Sequence, residues 1–312
     1  MAFVDCSCGM RNSTLNPRCI ACRLPITEAP GSSRAPATTA KAPLSVGARL
    51  GSWELGEQLG EGASSRVFRA RHVDTSVAAA LKVMRQSADH ATQRRFAREA
   101  RVLSSLEHSS LATVLDVFEA QGHVCLALEL STGSTLEQRL TAGAVGAQLT
   151  AVVAAQISGA LATLHAAGLV HRDVKPANVL LTEQHGERVH ARLIDLGLVL
   201  SLDNQLDSLR TESGMLVGSL AYAAPEVVLG GRAEPGSDVW SLGVMIFEML
   251  AGKRPFDAPT RSGLAKEIVA GTVGQMPIAP PLSDLLPKIL SREPASRPRA
   301  DELWRALDGS AQ

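Results

Sequence analysis

The stretch His171-Arg-Asp-Val-Lys-Pro-Ala-Asn178 brings a carboxylate, an ammonium group and an amide into one short loop. Asp173 could accept a proton from a hydroxyl, Lys175 could hold a transferring phosphoryl group, and Asn178 could reach a magnesium ion. This combination suits phosphoryl transfer, because that reaction depends mostly on positioning and on the stabilisation of charge. A charged surface turn ended by Pro176 is the alternative, and the octapeptide alone leaves both interpretations open.

The chain before this loop has the apolar alternation of β-strands, interrupted by one helical stripe. The predicted strands are Trp53–Leu59, Val67–Arg71, Val77–Arg85, Thr113–Glu119 and His123–Glu129, with a helix over residues 90–107. The chain from Ser131 onward is largely helical. Its predicted elements are helices at 136–140, 148–167, 237–250, 282–290 and 301–307, and a short hairpin formed by 179–181 and 189–194. The sequence therefore predicts a five-stranded sheet with one helix, followed by a mainly helical part.

Two glycines, Gly60 and Gly62, lie between the first two predicted strands. Small residues in a strand–turn–strand unit let backbone amides approach a phosphate closely. A plain hairpin is the alternative for so short a motif. A dinucleotide-binding fold is excluded, because its glycines open a helix after one strand, and here a second strand follows.

Three charged residues elsewhere could take part in the same chemistry. Lys82 lies within the third predicted strand, where it could hold phosphates or could simply face solvent. Glu99 lies near the apolar stripe of the predicted helix, where an ordinary surface ion pair is the alternative. Asp195 stands at a strand end close to a glycine, where its carboxylate can reach into a cleft as a metal ligand.

The composition is that of an ordinary globular protein, with 45% apolar and 20% charged residues. Lys plus Arg and Asp plus Glu number 31 each, so the formal net charge is zero. Nothing therefore favours a broad nucleic-acid or membrane surface. We see no apolar run near the ~18 residues that suggest a membrane span and no secretion signal. We expect a cytoplasmic protein without a membrane span.

The cysteines are concentrated at the N-terminus. Cys6, Cys8, Cys19 and Cys22 form two close pairs that could place four thiolates around one zinc ion. So short a segment cannot bury a core without such a staple, although a disordered tail with incidental cysteines is the alternative. Residues 25–50 are rich in Pro, Ala, Ser and Thr, and this composition predicts a flexible linker.

The order and spacing of these motifs resemble those of eukaryotic-like (Hanks-type) serine/threonine protein kinases, most closely the bacterial branch, over residues 51–308. The resemblance implies an α+β, bilobal protein kinase fold. Residues 51–130 would form a small β-rich N-lobe with one helix, and residues 131–308 would form a large, mainly helical C-lobe. A zinc-ribbon-like module over residues 1–24 and the linker over residues 25–50 would precede them.

The resemblance also implies ATP and Mg²⁺ as cofactors, with Mn²⁺ as an alternative metal. Asp173 resembles the catalytic base, Lys82 the lysine that binds the α- and β-phosphates, and Glu99 its helix partner. Asn178 and Asp195 resemble the magnesium ligands. The residues that resemble the family's ATP-binding positions are Leu59, Gly60, Glu61, Gly62, Val67, Ala80, Lys82, Leu128, Glu129, Leu130, Leu180 and Asp195.

Further positions resemble the structural and regulatory parts of the family. Glu226 and Arg297 resemble the buried ion pair of the C-lobe, and Asp238 resembles the residue that bonds the catalytic-loop backbone. Lys175 implies serine or threonine as the acceptor, and Arg172 implies activation by phosphorylation of the activation loop. The candidate phosphorylation sites are Ser201, Ser208, Thr211 and Ser213.

Three positions depart from the family pattern. Ser65 stands in place of the third glycine of the phosphate loop, and Leu196 in place of the usual phenylalanine after the metal-binding aspartate. We expect activity to survive both changes. Leu220 replaces the proline that usually precedes the substrate loop, and this change affects the shape of that loop.

We therefore expect a protein kinase that transfers the γ-phosphate of ATP to serine or threonine hydroxyls of protein substrates in signal transduction. A pseudokinase scaffold is one alternative, although the polar groups needed for transfer are all present. A cysteine module that acts mainly as an adaptor is the other. That module has Arg11, Arg18 and Arg23 but no aromatic residue apart from Phe3, so we expect a protein docking partner there rather than a nucleic acid.

Overall fold

The computed structural model describes residues 3–5, 11–13, 44–61, 65–84, 102–184, 188–195, 220–274 and 280–308. The chain divides into two units. The first comprises residues up to Ser104 together with Thr113–Leu130, and the second comprises Ser105–Ala112 together with the chain from Ser131 onward. At the N-terminus, β1 (Phe3–Asp5) and β2 (Arg11–Ser13) pair antiparallel as a separate two-stranded sheet.

The first unit contains a six-stranded antiparallel sheet with the strand order β3-β4-β5-β6-β8-β7. The strands are β3 (Arg49–Leu50), β4 (Trp53–Glu61), β5 (Ser65–His72), β6 (Ala78–Met84), β7 (Val114–Ala120) and β8 (His123–Glu129). All five predicted strands are confirmed. The alternation is clearest in β5, where the buried Phe68, Ala70 and His72 alternate with the exposed Arg69 and Arg71. The sheet has one more strand than the sequence predicted.

The additional strand β3 comes from the end of the predicted linker. Leu50 is 1% exposed, and the backbone before it is bound to the sheet through hydrogen bonds from Gly47 N to Leu55 O (2.7 Å) and from Leu55 N to Ala48 O (2.8 Å). Leu44 also packs against the core of the unit. The prediction of a flexible linker therefore does not hold for residues 44–50, because their apolar side chains add to the core.

The second unit has a smaller sheet with the order β11-β10-β9. The predicted hairpin is present as β10 (Val179–Gln184) and β11 (Arg188–Leu193), and the two-residue strand β9 (Ser134–Thr135) joins its edge. The chain enters β9 through Gly133, which has a φ of 147°. A Cβ at Gly133 would lie 2.3 Å from Leu181 O, so only glycine fits this crossing.

Helices make up most of the second unit. They are α1 (Leu136–Leu140), α2 (Ala147–Ala166), α3 (Pro225–Val228), α4 (Pro235–Ala251), α5 (Arg261–Ala270), α6 (Leu282–Ile289) and α7 (Ala300–Asp308). Thr135 and Gln138 close a reciprocal capping box at the start of α1. Helix α4 is buried along most of its length and ends at Gly252, which has a φ of 69°. Helix α5 was not predicted, and the other long helices match their predicted ranges within one or two residues.

Helix α2 bears on the expectation that no segment could span a membrane. By length and composition alone it is long and apolar enough to do so, with a mean hydropathy of 1.4. It is the one such helix among the described residues. However, 56% of its apolar window is buried inside the structure, and core helices of globular proteins pass the same test.

Candidate active site

The loop over residues 171–178 forms a hydrogen-bonded cluster in the second unit. The ammonium of Lys175 donates to Asp173 Oδ1 (2.9 Å) and Oδ2 (2.7 Å), and Asn178 Nδ2 donates to Asp173 Oδ2 (2.8 Å) and to its backbone carbonyl (2.7 Å). Pro176 begins a short 3₁₀ helix that ends at Asn178 and brings the amide back to the carboxylate. The three polar side chains therefore act as one group, and the loop is more than a charged surface turn.

Asp238 in α4 fixes the backbone just before this cluster. Its Oδ2 accepts a hydrogen bond from His171 N and its Oδ1 accepts one from Arg172 N, each over 2.8 Å. The predicted contact with the loop backbone is thus present. Arg172 has a φ of 70°, an unfavourable conformation for a residue with a side chain, which the two bonds help to maintain.

Asn178 also connects the loop to the strand that leads to Asp195. The backbone N–H of Ile194 donates to Asn178 O over 2.9 Å, and Asp195 follows directly. Because Asn178 Nδ2 is engaged with Asp173, the amide oxygen Oδ1 is the atom of Asn178 that can coordinate a cation. A carboxylate and an amide oxygen are hard donors of the kind that Mg²⁺ prefers, so the donor set fits that ion.

In the first unit, strand register gathers four of the predicted ATP-binding residues on one face of the sheet. Val67 pairs with Lys82, and Ala80 pairs with Leu128. Paired residues of antiparallel strands share a face, as do residues two positions apart, so all four belong to the same face. The opposite face carries the buried cluster of Phe68, Ala70, Leu81, Val83, Cys125 and Ala127.

Lys82 occupies this shared face without facing solvent. It is 6% exposed, so the interpretation of an ordinary surface lysine is wrong. Lysine is seldom buried unless it is paired, and its burial calls for an anionic partner. Lys82 suits a phosphate-binding role because its compact ammonium group belongs to the face of the sheet that also carries Val67 and Ala80.

The remaining predicted ATP-binding residues of the two units lie at strand ends. Gly60 pairs with Val67, and a Cβ at Gly60 would meet nothing within 4 Å, so this backbone is open to a close approach. Leu59 and Glu61 flank it and are exposed. The predicted positions near the ends of β8 and β10 are Glu129, which is exposed, Leu130, which is partly buried, and Leu180, which is buried. The N–H of Glu129 donates to Thr113 O over 2.8 Å.

Several predicted site residues lie outside the described residues. These are Gly62, Glu99, Cys6, Cys8, Cys19 and Cys22, together with the candidate phosphorylation sites Ser201, Ser208, Thr211 and Ser213. Within the ranges that the structure describes, no group of three or more His, Cys, Asp or Glu side chains could hold a metal ion. The zinc assignment therefore stays a prediction.

Two residues that bear on the site escaped the sequence analysis. His165, near the end of α2, places Nε2 2.8 Å from Asp238 Oδ2 and so adds a third contact to the carboxylate that holds the loop. Gln156, also in α2, bonds to the backbone of β11. Helix α2 also contains Thr150, Ser158 and Thr163, so the sequence carries no local signal that sets Gln156 and His165 apart.

Comparison with known proteins decides the family. A model described as "Protein kinase domain" matches residues 53–306. The chain belongs to the protein kinase family. Serine/threonine-protein kinase pkn2 of Myxococcus xanthus is 32% identical to this kinase over 260 residues, with 80% of this chain and 31% of the relative covered.

Two mycobacterial relatives give the same result. Serine/threonine-protein kinase PknJ of Mycobacterium tuberculosis is 34% identical over 246 residues, covering 78% of the kinase chain and 41% of the relative. Serine/threonine-protein kinase PknL of the same species is 34% identical over 248 residues, covering 77% and 60%. The kinase chain thus spans about a third to three fifths of the length of these curated relatives.

The predicted ion pair between Glu226 and Arg297 is present in the second unit. Arg297 Nη1 donates to Glu226 Oε1 (2.7 Å) and Nη2 donates to Oε2 (2.8 Å), so the pair is bidentate. Ser237 Oγ donates to Glu226 Oε1 as well (2.7 Å). Burial alone would raise the pKa of Glu226, but the hydrogen bonds from Arg297 and Ser237 hold it below its ordinary value.

Proposed function

We propose that this chain is an ATP- and magnesium-dependent protein kinase that transfers the γ-phosphate of ATP to serine or threonine hydroxyls of protein substrates. The observation that carries the proposal is the contact of Asp173 with both Lys175 and Asn178. The relatives described above are all serine/threonine-protein kinases, and this supports the same class of acceptor.

Asp173 would act as the base that orients and deprotonates the substrate hydroxyl. Its carboxylate receives hydrogen bonds from Lys175 and Asn178, which fix its position and leave it ready to accept a proton. The ammonium of Lys175 stays beside it and would stabilise the charge on the group being transferred. Serine and threonine offer an aliphatic hydroxyl from which Asp173 would accept the proton.

The magnesium ligands would be Asn178 and Asp195, and Lys82 of the first unit would bind the phosphates of the nucleotide. When bound, ATP supplies the phosphoryl group and Mg²⁺ neutralises the charge on it. The hydrogen bond from Ile194 N to Asn178 O keeps the two ligand residues in a fixed backbone relationship. In the first unit, Gly60 would offer a backbone that a phosphate can approach, and Leu128 would offer apolar surface to a base.

The test is transfer of labelled γ-phosphate from ATP to a generic protein substrate. Asp173→Asn and Lys82→Ala should each lower the rate at least about 100-fold, the scale of a lost acid–base group for Asp173 and of a lost charge-stabilising group for Lys82. Asp284→Asn, an exposed aspartate in α6, is the matched control and should retain the wild-type rate. Circular dichroism melts would show that each variant is folded. Wild-type transfer by a folded Asp173→Asn variant would refute the assigned role.

Regulation by autophosphorylation is part of the proposal. Arg172 precedes the base, and a phosphate beside an arginine can order a loop. The acceptors would be Ser201, Ser208, Thr211 or Ser213. A variant in which all four are alanine should lose both its self-labelling and most of its activity towards a protein substrate. Full activity in that variant would contradict this mode of activation.

For the N-terminal residues we propose a zinc ion held by Cys6, Cys8, Cys19 and Cys22, a protein docking partner and a cytoplasmic location. The hairpin of β1 and β2 brackets Cys6 and Cys8 in the sequence, which is compatible with a compact module. The purified chain should contain about one zinc per molecule by mass spectrometry, and Cys19→Ser should lower that content. Zinc-free wild-type protein would contradict the metal assignment.

A further inference from the structure

The outer edge of β11, the strand that leads to Asp195, is closed by groups from outside the sheet. On its inner edge β11 pairs with β10 in the register Leu181↔Ala191. On its outer edge, Leu193 N donates to Ser110 O (2.9 Å) and Leu193 O accepts from Ala112 N (3.0 Å). These two hydrogen bonds satisfy the outward-facing N–H and carbonyl of Leu193, the last residue of the strand. They do not involve the outward-facing backbone groups of Ala191 and Val189.

Gln156 of α2 completes the edge. Its Nε2 donates to Val189 O over 3.1 Å, and its Oε1 accepts from Ala191 N over 2.6 Å. One carboxamide therefore makes the donor and acceptor contacts that a neighbouring strand would make at this place. Ala191 is fully buried, so an unpaired N–H there would carry the cost of desolvation without compensation.

The orientation of the carboxamide is unambiguous in chemical terms. An N–H faces Oε1 and a carbonyl oxygen faces Nε2, and the flipped amide would place donor against donor and acceptor against acceptor. A carboxylate of the same shape could keep the bond from Ala191 N but would repel Val189 O. Only a protonated carboxyl could restore both contacts.

We propose that Gln156 is a positioning residue that fixes β11 and thereby holds Asp195 in place for the metal. The inference rests on the proposed function, because it takes Asp195 as a magnesium ligand. The path is short and rigid: Gln156 holds Val189 and Ala191, the strand continues to Leu193, and Ile194 N is bonded to Asn178 O. Residues that orient metal ligands typically change metal affinity or activity 10- to 100-fold when they are lost.

The test compares Gln156→Glu, Gln156→Leu and the wild type. Affinity for Mn²⁺ in the presence of a non-hydrolysable ATP analogue is measured by electron paramagnetic resonance of the free ion, and kcat is measured as a function of Mg²⁺. At pH 8 we expect both variants to bind the metal about ten-fold more weakly than the wild type. In Gln156→Glu the affinity should recover towards the wild-type value at pH 6, as the carboxyl gains a proton. In Gln156→Leu it should not recover.

Gln138→Glu is the matched control. Among the described residues, the one side-chain hydrogen bond of Gln138 is the one that Oε1 accepts from Thr135 N over 2.9 Å, and a glutamate retains that contact. Its metal affinity should equal that of the wild type at both pH values. Helix α2 and the elements that contact it carry further titratable side chains, so the wild type measured over the same pH range gives the baseline for their effects. They include His165 of α2, His190 of β11, Asp238 and Glu248 of α4, and Asp301 and Glu302 of α7, and His108 lies near His190.

Amide hydrogen exchange at Ala191 gives a reading that does not depend on activity. Exchange should accelerate in Gln156→Leu and remain slow in Gln138→Glu. Wild-type metal affinity in both Gln156 variants would overturn the proposal, and so would wild-type exchange at Ala191 in Gln156→Leu. If Asp173→Asn transfers phosphate normally, the proposed function fails, but metal affinity and Ala191 exchange still decide the role of Gln156.

Discussion

The indole N–H of Trp53 donates a hydrogen bond to Asp116 Oδ2 over 3.1 Å in the core of the first unit. Asp116 is 3% exposed, and among the described residues no group hydrogen-bonds its other oxygen, Oδ1. The pairing of β7 with β8 shifts register between Val114 and Asp116, and such irregularities re-aim side chains. Burial raises the pKa of Asp116 above its ordinary value, against smaller opposing effects of Trp53, the Val117 N–H and His72.

The first unit should therefore lose stability as pH rises. The folded state prefers the neutral acid, so the stabilising contribution is complete below the pKa of the unfolded chain, about 4, and is lost as pH passes the folded pKa. Asp116→Asn keeps an oxygen acceptor for Trp53 but does not titrate. Urea unfolding between pH 4.5 and 8 should show that the free energy of unfolding of the wild type decreases relative to that of this variant as pH rises. Parallel pH curves for the two proteins would contradict the prediction.

A histidine in the second unit should have the opposite pH dependence. His108 Nδ1 accepts the N–H of Ser110 over 3.0 Å. Burial lowers the pKa of His108 below its ordinary value, and the nearby His190 lowers it further. The folded state prefers the neutral ring, so stability is complete above about pH 6.5 and is lost as pH falls towards the folded pKa.

His108→Asn separates the hydrogen bond from the titration. An asparagine oxygen can accept the N–H two residues later without gaining a proton. Thermal unfolding between pH 5 and 8 should show the wild type losing stability in acid relative to His108→Asn. His108→Ala should be less stable than either above pH 7. If wild type and His108→Asn lose the same stability on acidification, His108 is not the sensitive group.

The strands and long helices could be predicted from the sequence because each carries its own apolar period. The exceptions have weak local signals. Strands β3 and β9 have two residues each, too few to show an alternation. Helix α5 has Leu264 and Ile268 as its buried residues, so the stripe that would reveal it is short. In these cases tertiary packing decides the structure, and a local pattern cannot report it.

The candidate site divides in the same way. Asp173, Lys175 and Asn178 are close in sequence, and their contact followed from the loop that contains them. The contacts of Gln156 with β11 and of His165 with Asp238 join residues that are far apart in sequence. Nothing local distinguishes these two residues from other polar residues of a helix, so only the fold could identify them.

The ion pair of Arg297 and Glu226 should be important for the stability of the second unit. The side chain of Arg297 is fully buried, and it also donates to Gly236 O (2.9 Å) and Ser291 O (2.8 Å). We predict that Arg297→Met lowers the free energy of unfolding by about 3 kcal/mol, because it leaves the partly buried carboxylate of Glu226 without its cationic partner. Arg299→Met, which breaks an exposed pair with Asp301, should cost less than about 1 kcal/mol.

Chemical denaturation of the two variants measures this difference directly. Because its hydrogen bonds lower the pKa of Glu226, the pair contributes stability above the unfolded pKa that is lost as pH falls through the folded pKa. The difference in the free energy of unfolding between the wild type and Arg297→Met should therefore become smaller in acid. If Arg297→Met and Arg299→Met lower the free energy of unfolding equally at neutral pH, burial does not determine how much the Arg297–Glu226 pair stabilises the protein.

Asp238 should control the turnover of the kinase through the backbone of its loop. The carboxylate of Asp238 accepts hydrogen bonds from His171 N and Arg172 N, and His165 Nε2 lies against the same carboxylate. It thereby helps to hold Arg172 at its positive φ of 70°, a conformation that costs about 1–2 kcal/mol. In Asp238→Asn, one N–H donor of the loop would face an amide N–H, so the strained backbone would relax and move Asp173.

We predict that Asp238→Asn lowers kcat about 100-fold, the scale of a displacement near 1 Å at a reacting group. The KM for ATP should change little, because Lys82 of the first unit is untouched. Steady-state kinetics with Mg²⁺ and a protein substrate would measure both constants, with Asp284→Asn as the control. A folded Asp238→Asn variant with the kcat of the wild type would mean that Asp173 is positioned by its own cluster with Lys175 and Asn178 alone.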